Sequence, residues 1–274
     1  MLREALSYPP ILRGLVALAV AGLTLPLPGI FVLQLNMVPL RFTLMHTGIL
    51  AGVLALALGL PAVPAVLCLA LAVALAVGLT GRFDSHRTSN LTVVLMVVTT
   101  AVAFALMSRT GIQAKDVLGL LWGDLYAIRP ADLAVLVGLG CLIVAFFAVF
   151  YRRAVALVFD RDMAAGLGIA VRPLELAIVL LCAAAVAVGL RVTGALLLDG
   201  LLLLPPLAAA RLARSARAHA LIACAVGLAS AAAGFAVSLA FDLPAGASTA
   251  MAACVLWLVA TGVSRISIVR RRYA

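Results

Sequence analysis

The sequence predicts an all-α, polytopic membrane protein with eight or nine transmembrane helices, and three observations predict this fold class. Hydrophobic residues make up 66% of the 274 residues. Only 11% are charged, against about 25% in an ordinary soluble domain. Charged residues are also missing from long stretches, among them 14–40, 42–81 and 218–241. Because a spanning helix needs about 20 mostly apolar residues, each of these stretches holds one span, and 42–81 holds two. A soluble enzyme, a disordered chain and a secreted disulfide scaffold are excluded.

The predicted spans follow one another with short connections. In chain order they cover residues 14–34, 43–59, 62–80, 89–108, 133–151, 174–190, 194–211, 218–240 and 247–264. The boundary between the second and third spans depends on Pro61 and Pro64 alone, since prolines interrupt helices. The whole chain, 1–274, is interpreted as a single transmembrane domain.

The distribution of positive charge predicts the orientation. Fourteen of the 20 Lys and Arg residues belong to one alternate set of connections, namely Arg41, 82–87, 152–172, 211–217 and the C-terminus. Because cytoplasmic connections carry an excess of Lys and Arg, this set is predicted to be cytoplasmic. The N-terminus is then outside and the C-terminus inside. The net charge of +10 is explained by these topology signals, and no nucleic-acid partner is predicted.

Motifs of the common membrane enzymes are missing from the sequence. It contains no G-x-x-x-x-G-K-[ST] stretch for a nucleotide, no H-E-x-x-H zinc helix and no G-x-S-x-G turn. The five cysteines fall in apolar runs without a C-x-x-C pair, which is typical of small core residues. These observations favour a transport function, without a catalytic site or a bound cofactor.

Two polar residues inside predicted spans are the candidate pathway residues. Asp199 lies within an apolar run, where an unpaired carboxylate costs about 3 kcal/mol, and such residues usually face a pathway or a partner. If its role is structural, it is expected to be protonated or paired with Arg191. Gly200, Pro205 and Pro206 are expected to make the nearby backbone irregular. His46, early in the second span, is either a metal ligand, a proton relay or merely hydrogen-bonded.

Two connections are long enough for contacts with partners. Residues 109–132 are external and include Asp124, and Asp242 lies in a further external turn. Residues 152–173 are internal, and the stretch 159–166 predicts a short helix that ends at Gly166 and Gly168. A helix in this position is either a docking surface for a soluble partner or a plain solvated connector.

Several stretches resemble the permease subunits of ABC importers for divalent zinc, manganese or iron, the ABC-3 type family. The clearest is 194–211, with its initial glycine, leucine-rich run, Pro205 and three alanines. The others are 122–125 with 130–133, the internal stretch 159–166, and 242–247. Together with the region of His46, the resemblance covers residues 14–265. It implies a fold like that of type II ABC importer permeases.

One motif departs from the family pattern. The family commonly has Gly-Asp-x-x-x-His before its second span, and the resemblance implies that this Asp and His are pathway ligands. The matching stretch here begins at Arg41, retains His46 and has Phe42 in place of the carboxylate. We therefore hypothesise that Asp199, at a position usually uncharged in the family, replaces the missing carboxylate. The predicted topology places His46 nearer the inside and Asp199 nearer the outside. They are then successive stations, or the second span begins with a re-entrant stretch.

The resemblance also implies a function and a set of partners. The chain is expected to be a homodimeric permease in the bacterial inner membrane that carries a divalent metal as substrate. ATP would be hydrolysed by a separate ATPase that contacts 152–173, with Phe159, Asp160, Asp162 and Gly166 as coupling residues. A solute-binding protein would deliver the metal to the outer face, where Asp124 and Asp242 are expected contacts or gate residues. The alternatives are an ABC permease for a metal chelate or another small nutrient, and a proton-coupled secondary transporter.

Overall fold

The computed structural model describes residues 8–80, 86–112 and 128–273, and the side chains of 8–80, 88–112 and 128–265. Within these ranges the chain forms helices joined by short connections. In order they are α1 (Pro9–Thr24), α2 (Pro26–Gln34), α3 (Val38–Leu58), α4 (Ala62–Leu79), α5 (His86–Thr110), α6 (Pro130–Phe159), α7 (Arg161–Gly166), α8 (Val171–Thr193), α9 (Ala195–Leu212), α10 (Ala216–Phe241) and α11 (Ala245–Tyr273).

Nine segments of the described residues are long and apolar enough to cross a membrane, with α1 and α2 together forming the first. Every predicted span therefore has a corresponding helical segment. The boundary at Pro61 is confirmed, because α3 ends at Leu58 and is capped by Gly59, whose φ of 65° is left-handed, and α4 begins just after Pro61. Glycine adopts this conformation without steric cost, so the chain reverses there.

Two boundaries differ from the sequence-based prediction. Arg41 was expected in a cytoplasmic connection, but α3 begins at Val38 and places Arg41 inside the helix, where its side chain is 3% exposed. The same helix is regular from Val38 to Leu58, without a break before His46. Helix α6 continues eight residues beyond its expected end at 151, since no breaker occurs before Asp160. At about 1.5 Å per residue, its 30 residues exceed the thickness of the hydrocarbon core.

Helix α8 lies at the centre of the bundle. In the most apolar stretch of α8, 72% of the residues are buried. The helix packs against α3, α4, α6 and α9. Its small residues, including three successive alanines at 183–185, allow this crowding because small side chains let helix backbones approach closely. The two helices with the candidate polar residues, α3 and α9, are thus both supported by α8.

Helix α9 continues through its two prolines, so the expected irregular backbone is not present. Pro205 and Pro206 lie inside the helix and cannot donate to the carbonyls of Leu201 and Leu202. The carbonyl oxygen of Leu202 lies against Gly29 of α2, where an added Cβ would come within 1.7 Å of that oxygen. The prolines therefore leave a carbonyl available where α2 and α9 pack backbone to backbone.

Candidate functional site

An ion pair joins the two helices that carry the candidate pathway residues. Nη2 of Arg41, in the first turn of α3, donates to Oδ1 of Asp199, in the second turn of α9. The Arg41 side chain is 3% exposed and that of Asp199 is 35% exposed. A buried guanidinium needs a counter-charge because an isolated ion is costly in an apolar interior. Asp199 supplies this counter-charge.

The partner of Asp199 is therefore Arg41, and the expectation that Asp199 pairs with Arg191 is wrong. Arg191 belongs to the last turn of α8. It lines a cavity of about 550 Å³ together with Arg129 and Asp132. These residues lie at the connection predicted to be external, and neither member of the Arg41–Asp199 ion pair lines this cavity.

The surroundings of the ion pair are asymmetric. The Arg41 guanidinium also stacks over the ring of Phe42, with Cζ 4.5 Å from the ring centroid, an arrangement that attracts a cation to an aromatic face. Nε of Arg41 is buried and has no hydrogen-bond partner among the described residues. Phe42 and Leu196 are 43% and 52% exposed. The carboxylate of the ion pair is thus partly accessible, whereas its guanidinium is buried.

His46 is positioned by its own helix. Its Nδ1 lies 2.8 Å from the carbonyl oxygen of Phe42, one turn earlier. Because a carbonyl only accepts, Nδ1 carries the proton in this contact, and the lone pair of the neutral ring is on Nε2. The His46 side chain is half-buried. Fixing one imidazole nitrogen by a backbone carbonyl is how metal-binding histidines are usually oriented.

The described side chains do not form a closed metal site. Within these ranges no three His, Cys, Asp or Glu residues gather closely enough to hold an ion. His46 and Asp199 offer one imidazole and one carboxylate from helices that share α8 as a support. Such a sparse set suits a passing cation, which must bind weakly enough to leave.

The stretch 159–166 forms the expected short helix, α7, at the end of α6. Asp160 is its N-cap and accepts from the backbone N–H of Met163 at 2.8 Å, while Asp162 lies in the first turn. Nη1 of Arg161 donates to Oε1 of Glu175 at 2.9 Å, which fixes α7 to α8. Phe159 is 83% exposed. The helix ends at Gly166, and Gly168 adopts the left-handed conformation, with φ of 76°.

The two predicted outer residues have different outcomes. Asp242 is exposed and caps the C-terminus of α10 in the left-handed conformation, with φ of 53° and its N–H bonded to the Ser238 carbonyl. Aspartate tolerates this conformation better than most residues, so its position has a structural reason. Asp124 lies outside the described residues, as does most of the connection that contains it.

Sequence reasoning missed the role of Arg41. Its position beside long uncharged stretches suggested a topology signal, although it is the charge that compensates Asp199. The sequence did contain a hint of this role. A carboxylate inside a span requires a partner, and Arg41 is the basic residue nearest to His46 in the chain. The sequence does not give the helix positions, so Arg191 was favoured because it is closer to Asp199 along the chain.

Spanning helices with a sparse polar site and a short helix at the predicted inner end define a multi-pass membrane transport protein. Residues 7–264 match the family described as "ABC 3 transport family". The chain belongs to this family. It is accordingly a membrane permease subunit of an ATP-binding cassette transporter and not an enzyme, and the alternative of a proton-coupled secondary transporter is wrong. Such a permease implies a separate ATPase and a binding protein.

Two curated relatives cover nearly the whole chain. One is the "Manganese transport system membrane protein MntC" of Halalkalibacterium halodurans, 25% identical over 94% of this chain and 88% of the relative. Another is the "High-affinity zinc uptake system membrane protein ZnuB" of Haemophilus influenzae, 25% identical over 92% of this chain and 95% of the relative.

Two solved structures share the fold. "PsaBC from Streptococcus pneumoniae in complex with Fab" superposes with a TM-score of 0.80 at 18% identity, covering 95% of each chain. A second, described as "An inward-facing conformation of a putative metal-chelate type ABC transporter", has a TM-score of 0.74 at 18% identity and covers 94% of this chain and 88% of the other. The predicted likeness to ABC importer permeases is confirmed at the level of the fold.

Proposed function

We propose that this chain is the permease subunit of an importer that moves a divalent transition-metal cation, such as manganese or zinc, into the cytoplasm. The observation that carries the proposal is the family match over 7–264, together with full-length similarity to a manganese and a zinc permease. A partly exposed carboxylate and an oriented imidazole on neighbouring helices supply oxygen and nitrogen donors that such ions accept.

We further propose that His46 and Asp199 are transient ligands along the path of the cation, and that two copies of the chain form a homodimer. The partial exposure of the Asp199 carboxylate and the half-buried position of His46 support these ligand roles. A two-fold axis beside these residues would double the number of ligands from one imidazole and one carboxylate to two of each. The chain itself is then expected to hold no cofactor.

The inner end is proposed as the contact with the ATPase. Residues 152–173 include the exposed Phe159, the capped helix α7 and its ion pair with α8. A short helix fixed to a buried helix transmits movement better than a free loop, because its attachment resists bending. Phe159, Asp160, Asp162 and Gly166 are the coupling residues in this proposal, within a single permease domain. At the outer face, Asp124 and Asp242 would meet the binding protein.

Uptake by the assembled transporter tests the proposal. The chain is expressed with its ATPase and binding protein in a bacterial strain that lacks its own uptake systems, and accumulation of radioactive manganese and zinc is measured. Asp199→Asn alone would leave Arg41 buried without a counter-charge, so the matched comparison is Arg41→Gln/Asp199→Asn against Arg41→Gln. We expect at least a tenfold lower uptake in the double variant at equal membrane levels, and a similar loss in His46→Ala. Undiminished uptake in both would contradict the ligand roles.

A metal chelate is the second candidate substrate. It is supported by Arg41 and Phe42, which give the face beside Asp199 a compensated charge and an aromatic ring where a bare cation would prefer a second carboxylate. In the same uptake assay, a chelated metal carried faster than the free ion, with no dependence on His46, would favour this candidate.

A further inference from the structure

We propose that Arg41 is a tethered cation that occupies the Asp199 carboxylate while the path is empty and is displaced from it by the transported ion. This inference rests on the proposed function. Arg41 lies just before Phe42 in the chain, and its contact with Asp199 joins helices α3 and α9 directly.

The first step is that the guanidinium and a metal ion would seek the same atoms. Asp199 accepts from Nη2 of Arg41 through Oδ1. Like charges repel strongly in a medium of low dielectric constant, so a guanidinium and a divalent ion at one carboxylate oppose each other. In this proposal the divalent ion displaces the guanidinium from Asp199.

The second step is that the guanidinium and the carboxylate differ in exposure. The Arg41 side chain is 3% exposed, whereas that of Asp199 is 35% exposed. An ion that reaches this site therefore meets the carboxylate before the guanidinium. Competition takes place at Asp199, and the arriving ion does not have to pass Arg41.

The third step is that the displaced guanidinium has a contact to retain. It already stacks over the ring of Phe42 at 4.5 Å, and this attraction does not depend on Asp199. Nε of Arg41 is buried without a partner among the described residues, so the ion pair does not satisfy the whole guanidinium. In this proposal the side chain, once displaced from Asp199, is held by Phe42 alone.

Direct binding to the full-length chain in lipid nanodiscs tests the proposal, with Mn²⁺ as the probe and electron paramagnetic resonance of the free ion as the readout. Arg41→Gln removes the competitor and keeps the carboxylate, and it is expected to bind Mn²⁺ at least tenfold more tightly than the wild type. Arg41→Gln/Asp199→Asn is the matched control and should lose the gain. A folded Arg41→Gln variant that binds no more tightly than the wild type would overturn the proposal.

A second measurement needs no substitution and covers the case in which Arg41→Gln does not fold. Phenylglyoxal modifies accessible arginines, and mass spectrometry reports its addition at Arg41 of the wild-type chain. Modification of Arg41 is expected to increase severalfold at saturating Mn²⁺, since the guanidinium has left Asp199. Unchanged modification under those conditions would overturn the proposal.

Uptake and Mn²⁺ binding together distinguish failure of the proposed function from failure of the role of Arg41. If neither the wild type nor any variant binds Mn²⁺ and the assembled transporter takes up no metal, both the proposed function and this inference are overturned. If uptake occurs and the wild type binds Mn²⁺, but Arg41→Gln binds no more tightly, only the role of Arg41 is overturned.

Discussion

Arg41 and Asp199, 158 residues apart in the chain, form an ion pair in which the guanidinium is buried and the carboxylate is partly exposed. Each charged residue alone would be unfavourable at its position, and each is tolerated because the other compensates its charge. The hydrophobic environment of α3 tolerates an arginine because α9 presents a carboxylate. The apolar start of α9 tolerates an aspartate for the same reason.

This asymmetry predicts the outcome of a double-mutant cycle on stability. Asp199→Asn leaves a buried cation and is expected to lower the free energy of unfolding by about 3 kcal/mol. Arg41→Gln leaves a partly exposed carboxylate without its partner inside a span and should cost about 2.5 kcal/mol. Arg41→Gln/Asp199→Asn should lie within about 1 kcal/mol of the wild type. Denaturant unfolding in detergent checks this, and a double variant less stable than both single variants would contradict the pairing.

The crossing of α1 and α10 predicts a strong effect of a single methyl group. Pro26 cannot donate to the Gly22 carbonyl, and that oxygen lies against Gly227, where an added Cβ would come within 2.1 Å. Gly227→Ala is therefore expected to destabilise the protein by about 2–3 kcal/mol, since backbone has to move.

Thermal unfolding of the purified chain measures this effect. Gly138→Ala is the matched control, because no atom lies within 4 Å of a Cβ added there. A Gly227→Ala variant as stable as Gly138→Ala would contradict the close packing.

The orientation of His46 predicts a change in metal preference. An imidazole nitrogen favours zinc over manganese, whereas oxygen donors do not discriminate in this way. Replacing His46 with Asn exchanges the free nitrogen for an amide group, so the ratio of zinc to manganese uptake is expected to fall about tenfold.

His219 provides the control for this experiment. Its Nε2 is already engaged by the carbonyl of Pro206 at 3.0 Å, so His219→Gln should leave the ratio unchanged. Equal ratios in His46→Asn and in the wild type would show that the imidazole does not contact the transported ion.

The cap of α7 predicts a defect in coupling. Asp160→Ala removes the acceptor for the Met163 N–H and is expected to loosen the helix by about 1 kcal/mol. Asp160→Ser keeps a capping oxygen without the charge. Substrate-stimulated ATP hydrolysis by the assembled transporter should fall severalfold in Asp160→Ala and stay near the wild-type rate in Asp160→Ser. Equal rates in all three would remove α7 from the coupling path.

The fold was largely predictable from the sequence because hydrophobicity alone determines which segments can span a membrane. The charge-free stretches located the nine candidate spans found among the described residues, and the glycines at 166 and 168 indicated the end of the short helix. The ends of spans were less predictable. Arg41 and residues 152–159 were assigned to connections, because charged residues usually mark a loop and here they continue a helix.

The site was less predictable than the fold. Asp199 and His46 were found because polar atoms in lipid require an explanation. Their relation to Arg41 depends on which faces of α3 and α9 meet, and helix packing between segments 158 residues apart is not encoded in any local pattern. The continuity of α9 through Pro205 and Pro206 likewise depends on neighbouring helices that accommodate the free carbonyls.

The central claim is that this chain provides the path for a divalent metal and depends on a separate ATPase for energy. Proteoliposomes that contain the permease with its ATPase and binding protein should accumulate manganese or zinc when ATP is supplied on the ATPase side. Liposomes with the permease alone should accumulate neither. Concentration of either metal against a gradient by the permease alone, or none by the complete transporter with ATP, would contradict the account.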